Sequence, residues 1–225
     1  MASGLGSSER LEPIGMRLSS ITWPFPFLVR LGWATARVRN PDPATARGKA
    51  FLLRGNALVF SPGMGSLCRR LRQLGIWAED LRCVGDRWVV RHLLAEQRTG
   101  HRCRPLIFIG HSCGGRYSLY AAHALEKAGI PVELVICVDV ALAPPVPANV
   151  RKAVHLYLTQ RRVYPARPLL AAPGSHAVIQ NVDLNGPGSP ASPRGLFHLN
   201  ITNSAGIQQF ILEQVLDAVA NPHEN

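Results

Sequence analysis

Ser112 sits among glycines in the stretch "LIFIGHSCGGRYSLY" (Leu106–Tyr120), where a bulky apolar run gives way to an amphipathic one. Gly110 and Gly114 flank it at the spacing G-x-S-x-G. A serine on a sharp strand-to-helix turn takes strained backbone angles, and its neighbours pass too closely to carry side chains. The hydroxyl then stands clear of the sheet. The backbone N–H of the next residue, Cys113, points from a helix N-terminus toward the place where an oxyanion would develop. Gly115 lets that helix begin close to the sheet. The spacing alone is common, and a plain structural turn is the competing reading. The apolar run before it and the helix after it favour a nucleophile.

A serine hydroxyl needs a base to take its proton. Of the eight histidines, His92, His101 and His111 precede Ser112, His123 lies mid-helix, and His155 and His176 belong to strands. In a site of this kind the base follows the acid, late in the chain. That leaves His198 and His223, and His223 adjoins the chain end. His198, in "GLFHLNITNSAG" between the last strand and the last helix, is the expected base. An acid must fix its tautomer and stabilise imidazolium. The carboxylates between Ser112 and His198 are Glu126, Glu133, Asp139 and Asp183. Glu126 falls on a helix surface, and Glu133 opens a strand at the wrong end. Asp139 closes "ELVICVD", the strand following the nucleophile's helix, and is favoured. Asp183, which ends the strand before His198, is the alternative acid. A second oxyanion donor should come from the loop after "AFLLRG". Gly55, Asn56 and Ala57 are candidates there, with the Asn56 backbone N–H preferred.

These residues need a scaffold that gathers loops at one edge. "KAFLLRG" reads as a buried strand and "NALVFSPGMG" as a loop. Leu67, Leu71 and Leu74 then mark a helix that Gly75 stops. "IWAEDLRCV" is a strand, and Val89, Val90, Leu93 and Leu94 mark a second helix. "PLIFIG" is the clearest strand, followed by a helix from about Gly114 to Ala128. "VELVICVDVA" is another continuous apolar run. "AVHLYLT" alternates, and "HAVIQNVDL" is the last strand. Ile207, Phe210, Ile211, Val215 and Val219 build a final helix. Strands alternating with helices predict an α/β fold, a mostly parallel twisted sheet with helices on both faces. Functional groups in such sheets collect at the carboxyl ends of the strands.

The order Ser112, Asp139, His198 and the elbow "GHSCGG" resemble the α/β-hydrolase superfamily. "FLLRGNALVFSPGM", "GIPVELVICVDVALAPPVPANVR" and "NVDLN" are similar to blocks of its small bacterial thioesterase- and lipase-like serine hydrolases. The resemblance covers about Lys49 to Val219. It implies a serine hydrolase that forms an acyl-enzyme from a small-molecule ester or thioester, without metal or organic cofactor. Two departures stand out. Cys113 replaces a bulkier residue, and the stretch from Asp139 to His198 must hold two strands, which leaves no room for a large lid. The domain is expected over 49–221, with a tail at 222–225.

Residues 1–48 form an expected leader and linker. Arg10, Arg17, "LSSITWPFPFLV" and "ATA" have the order of an export signal, degenerate because Pro24, Pro26 and Arg30 interrupt its apolar part. The expected location is the cytoplasm or, if exported, the periplasm. The net charge of +11, from 25 Lys and Arg against 14 Asp and Glu, suits acidic small molecules such as acyl-CoA, or weak contact with an anionic membrane surface. The arginines are scattered and no nucleic-acid motif occurs, so nucleic acid is not an expected partner. Five cysteines without regular spacing give neither a disulfide framework nor a zinc site. Two rivals remain: a catalytically degenerate hydrolase fold that only binds, and a basic scaffold that docks on anionic surfaces. Within the enzyme reading, a carboxylesterase or lipase competes with a thioesterase.

Overall fold

A computed structural model describes residues 38–55, 61–100, 104–159 and 166–222, apart from the side chain of Cys83. Six strands, β1 (Lys49–Leu53), β2 (Trp77–Leu81), β3 (Leu106–His111), β4 (Val132–Val138), β5 (Val150–Tyr157) and β6 (Val178–Asp183), form one sheet in the order β2-β1-β3-β4-β5-β6. Every pairing is parallel. Four helices connect or follow them: α1 (Pro62–Gln73), α2 (Asp86–Arg98), α3 (Cys113–Glu126) and α4 (Ala205–Ala220).

The continuous apolar runs are explained by burial on two faces. Along β1, Ala50 and Leu52 join the core under α1 and α4, while Phe51 and Leu53 join the core under α2 and α3. β3 and β4 divide the same way, Ile107, Ile109 and Ile136 on one side and Phe108, Val135 and Cys137 on the other. Each such side chain contributes about 1.5–3 kcal/mol. Burial also pushes the Cys137 thiol up to about 12, as expected for a small apolar filler. His155 is fully buried despite the β5 alternation, and its register partner on β4, Cys137, belongs to the core under α2 and α3.

Two expectations on the loops change. "PGMG", read as loop, opens α1: proline suits the first helical turn, which needs no N–H there. Gly63 is required by packing, since a Cβ there would lie 1.8 Å from the Thr202 carbonyl oxygen. Residues 38–48, read as linker, are tied to the sheet edge. Ala78 N–H donates to Asn40 Oδ1 (2.8 Å), and Arg72 donates to the Val38 carbonyl (3.1 Å). The expected export signal and His223 lie outside the described residues.

The register aligns the carboxyl ends. Leu53 pairs with Gly110, His111 with Val138, Val138 with Leu156, and Tyr157 with Asp183. The loops leaving β1, β3, β4 and β6 therefore open on the same edge.

Candidate active site

Ser112 is the first residue past β3. Its N–H still donates to the Val138 carbonyl (2.9 Å), while its backbone turns to φ 56 and ψ −128. That conformation is strained for a residue with a side chain. The glycines around it leave no room for a Cβ. At Gly110 one would lie 2.3 Å from the Gly115 Cα, and at Gly114 one would lie 2.1 Å from the Leu53 carbonyl oxygen. At Gly115 it would strike Val140 at 2.3 Å. The turn thus lifts Ser112 to a half-buried position and starts α3 at Cys113.

Asp139 repeats the device one strand over. Its N–H donates to the Leu156 carbonyl (2.7 Å) before the chain turns to φ 49. The carboxylate is fully buried. One oxygen accepts the Leu158 N–H (3.2 Å) and the other faces His198 Nδ1 at 2.6 Å. His198 Nε2 lies 3.0 Å from Ser112 Oγ. The carboxylate only accepts, so it holds the proton on Nδ1 and leaves the Nε2 lone pair toward the serine hydroxyl. The structure thus brings Ser112, His198 and Asp139 into one hydrogen-bonded row.

Asp183 is engaged elsewhere. Thr159 Oγ1 donates to its carboxylate (3.2 Å), and Asn185 N–H donates to Oδ1 (2.9 Å) in a local turn. None of its hydrogen bonds among the described residues reaches His198. Asn56 and Ala57 lie outside the described residues. Gly55, the other oxyanion candidate, donates its N–H to Ser61 Oγ (3.3 Å). The Cys113 N–H belongs to the N-terminus of α3, where amides favour negative charge.

Supporting residues escaped the sequence reading. Arg54, at the end of β1, forms a two-pronged pair with Asp80, through Nε to Oδ1 at 2.7 Å and Nη2 to Oδ2. The pair fixes the backbone where the first loop departs. Its hydrogen bonds raise the Arg54 pKa against the opposing effect of burial. His155 lies beneath the acid's turn, where its Nε2 accepts the Val140 N–H (3.2 Å). Burial drives its pKa down to about 4, partly opposed by the Asp139 charge and a hydrogen bond to the Arg167 backbone. A single sequence carries no signal for these partners, because each pair comes from separate segments. Among the described residues, no group of three or more His, Cys, Asp or Glu could hold a metal ion.

Six parallel strands in this order, with a strained serine after β3, an acid after β4 and a histidine after β6, constitute an α/β-hydrolase-like fold. No protein-family model and no curated protein matches the sequence. Among solved structures, the chain is similar to the NocB thioesterase domain of the nocardicin cluster, at 14% identity and TM-score 0.47, over 78% of this chain and 96% of that one. It is similar at 13% identity and TM-score 0.48 to a structure from work on the metagenome-derived lipolytic enzymes LipS and LipT, over 78% and 94% of the chains. The RedJ thioesterase of prodiginine biosynthesis in Streptomyces coelicolor gives 11% identity and TM-score 0.45, over 70% and 92%. At these values the likenesses add nothing to what the strand order itself establishes.

Proposed function

We propose that the protein is a serine hydrolase that cleaves a small-molecule ester or thioester through an acyl-enzyme. The observation that carries this reading is His198, whose two ring nitrogens face Ser112 Oγ at 3.0 Å and Asp139 Oδ2 at 2.6 Å. Ser112 Oγ attacks the substrate carbonyl carbon while its proton passes to His198 Nε2. The carbonyl electron pair moves to oxygen, and the Cys113 N–H stabilises that oxyanion. The pair returns, the carbon–oxygen or carbon–sulfur bond breaks, and His198 hands its proton to the leaving group. Water then attacks the acyl-serine, giving a proton to His198, and the acid product departs as Ser112 recovers it. Asp139 holds the ring and offsets the imidazolium charge in both halves. An oxyanion donor of this kind contributes about 3 kcal/mol to the transition state.

The surroundings favour an acyl group. Phe197 and Leu199, on either side of His198, are 53% and 40% exposed, and Leu142, beyond Asp139, is 70% exposed. Between β6 and His198 the described chain is loop, and that segment supplies no helical cover, which suits short acyl chains. The net charge of +11 favours a phosphate-bearing thioester over a neutral ester.

The test is turnover of matched acyl-CoA and p-nitrophenyl esters by wild type and Ser112→Ala. Ser112→Ala is expected to keep its circular dichroism spectrum and lose turnover by at least about a thousand-fold. Undiminished turnover would contradict the mechanism.

A further inference from the structure

His111, the last residue of β3, is 1% exposed, and its ring lies against that of His198 with centroids 4.8 Å apart. Its Nε2 lies 2.9 Å from the backbone carbonyl oxygen of His198, and its Nδ1 lies 2.6 Å from Ser61 Oγ. The Ser61 oxygen also accepts the Gly55 N–H, at 3.3 Å. A carbonyl oxygen can only accept, so Nε2 carries the proton. A cationic ring here would lose solvation and face a second imidazole that itself turns cationic during turnover; the neutral ring avoids both. Nδ1 is then bare and accepts from the Ser61 hydroxyl, whose lone pairs remain for Gly55.

We propose that His111 is a positioning residue that clamps the His198 loop to Ser61 and, through it, to Gly55. The proposal rests on the serine-hydrolase reading above. The geometry gives the clamp its purpose. Phe197 and Leu199 are 53% and 40% exposed, so the residues adjoining the base add little packing of their own, while Leu196 and Ile201 pack against the core on either side. The carbonyl of His198 is fixed instead from below, by a residue adjoining the nucleophile in sequence. One ring thus sets the base against Ser112 and, through Ser61, holds Gly55 just past β1. Gly55 permits this approach. A Cβ there would lie 3.3 Å from Ser112 Cβ and 3.4 Å from His111 Nδ1.

Two substitutions separate the arms. The amide nitrogen of His111→Gln reaches where Nε2 stood and can still donate to the His198 carbonyl. The shorter His111→Asn places its amide near the former Nδ1 and leaves that carbonyl without its donor. With Ser112-dependent ester turnover as readout, His111→Asn is expected to lower kcat roughly 10–100-fold with KM little changed, since a base displaced by about 1 Å costs rates of that order. His111→Gln is expected to recover most of the loss. Wild-type kcat in His111→Asn, equal losses in both variants, or a greater loss in His111→Gln would overturn the clamp. A second measurement needs neither activity nor variants that fold. The imidazole 15N spectrum of wild-type protein is expected to show His111 protonated at Nε2 and bare at Nδ1. The opposite tautomer would overturn the proposal. Wild-type protein that turns over no ester, yet has the expected tautomer, would count against the hydrolase reading and leave the clamp standing.

Discussion

Asp139 and Asp183 are chemically alike, and backbone geometry separates them. Asp139 follows a central strand, turns to φ 49 and reaches His198 from a fully buried position. Asp183 is the last residue of the edge strand β6 and spends its oxygens on Thr159 and its own turn. Asp139→Asn is expected to lower kcat about 10⁴-fold, because an amide can present a donor to Nδ1 and reverse the tautomer. Asp183→Asn is expected to leave kcat within a few-fold of wild type. Steady-state rates on one ester check both. The sequence made Ser112, His198 and both acids visible through residue type, spacing and chain order. It favoured Asp139 from its place after the nucleophile's helix and kept Asp183 as the alternative, since the final choice depends on how each backbone leaves its strand. It was silent on Ser61, His111 and His155 as supports, whose partners come from other segments of the chain.

At the scale of elements, the site depends on helices packed closely enough to hold its loops. Gly63 in α1 lies against the 3-10 turn Ile201–Asn203, just after His198. Gly63→Ala must push these segments apart. Thermal melts are expected to show a loss of about 1–3 kcal/mol, accompanied by a lower kcat because the His198 loop moves with the turn. "PGMG" looked like a loop because glycine and proline usually punctuate helices; Pro62 fits the first helical turn, and the close approach of Thr202 explains Gly63. His155 in β5 ties the sheet to the acid's turn and introduces a pH dependence. Its pKa falls from an ordinary 6.5 to about 4 through burial. Between those values the unfolded chain binds a proton that the folded chain does not, so stability drops as pH falls from 6.5 toward 4 and is unaffected above that window. The full effect is about 3 kcal/mol. Denaturant melts of wild type and His155→Gln across this range should differ in slope, with wild type losing more stability in acid. Parallel slopes would contradict a buried neutral imidazole.

For the molecule as a whole, the alternation of apolar runs with amphipathic segments was sufficient to give the parallel sheet and its helices. Continuous runs such as "LIFIG" and "VELVICV" carried that signal because both faces of β3 and β4 are covered. The net positive charge is a property of the whole sequence and carries no information on the fold. Its expected consequence is kinetic. KM for a short-chain acyl-CoA should rise with ionic strength, as screening weakens attraction to the phosphates, while KM for the matching neutral ester stays level. Equal salt responses for the two substrates would remove the electrostatic argument for a thioester.

The central claim is that His198 makes one serine hydroxyl abnormally nucleophilic. Labelling the folded protein with a fluorophosphonate, then locating the adduct by peptide mass spectrometry, tests this most directly. The account predicts a single stoichiometric adduct on Ser112 that forms rapidly in wild type and is lost in His198→Ala. An unlabelled Ser112, or an adduct that forms equally fast without the imidazole, would contradict it.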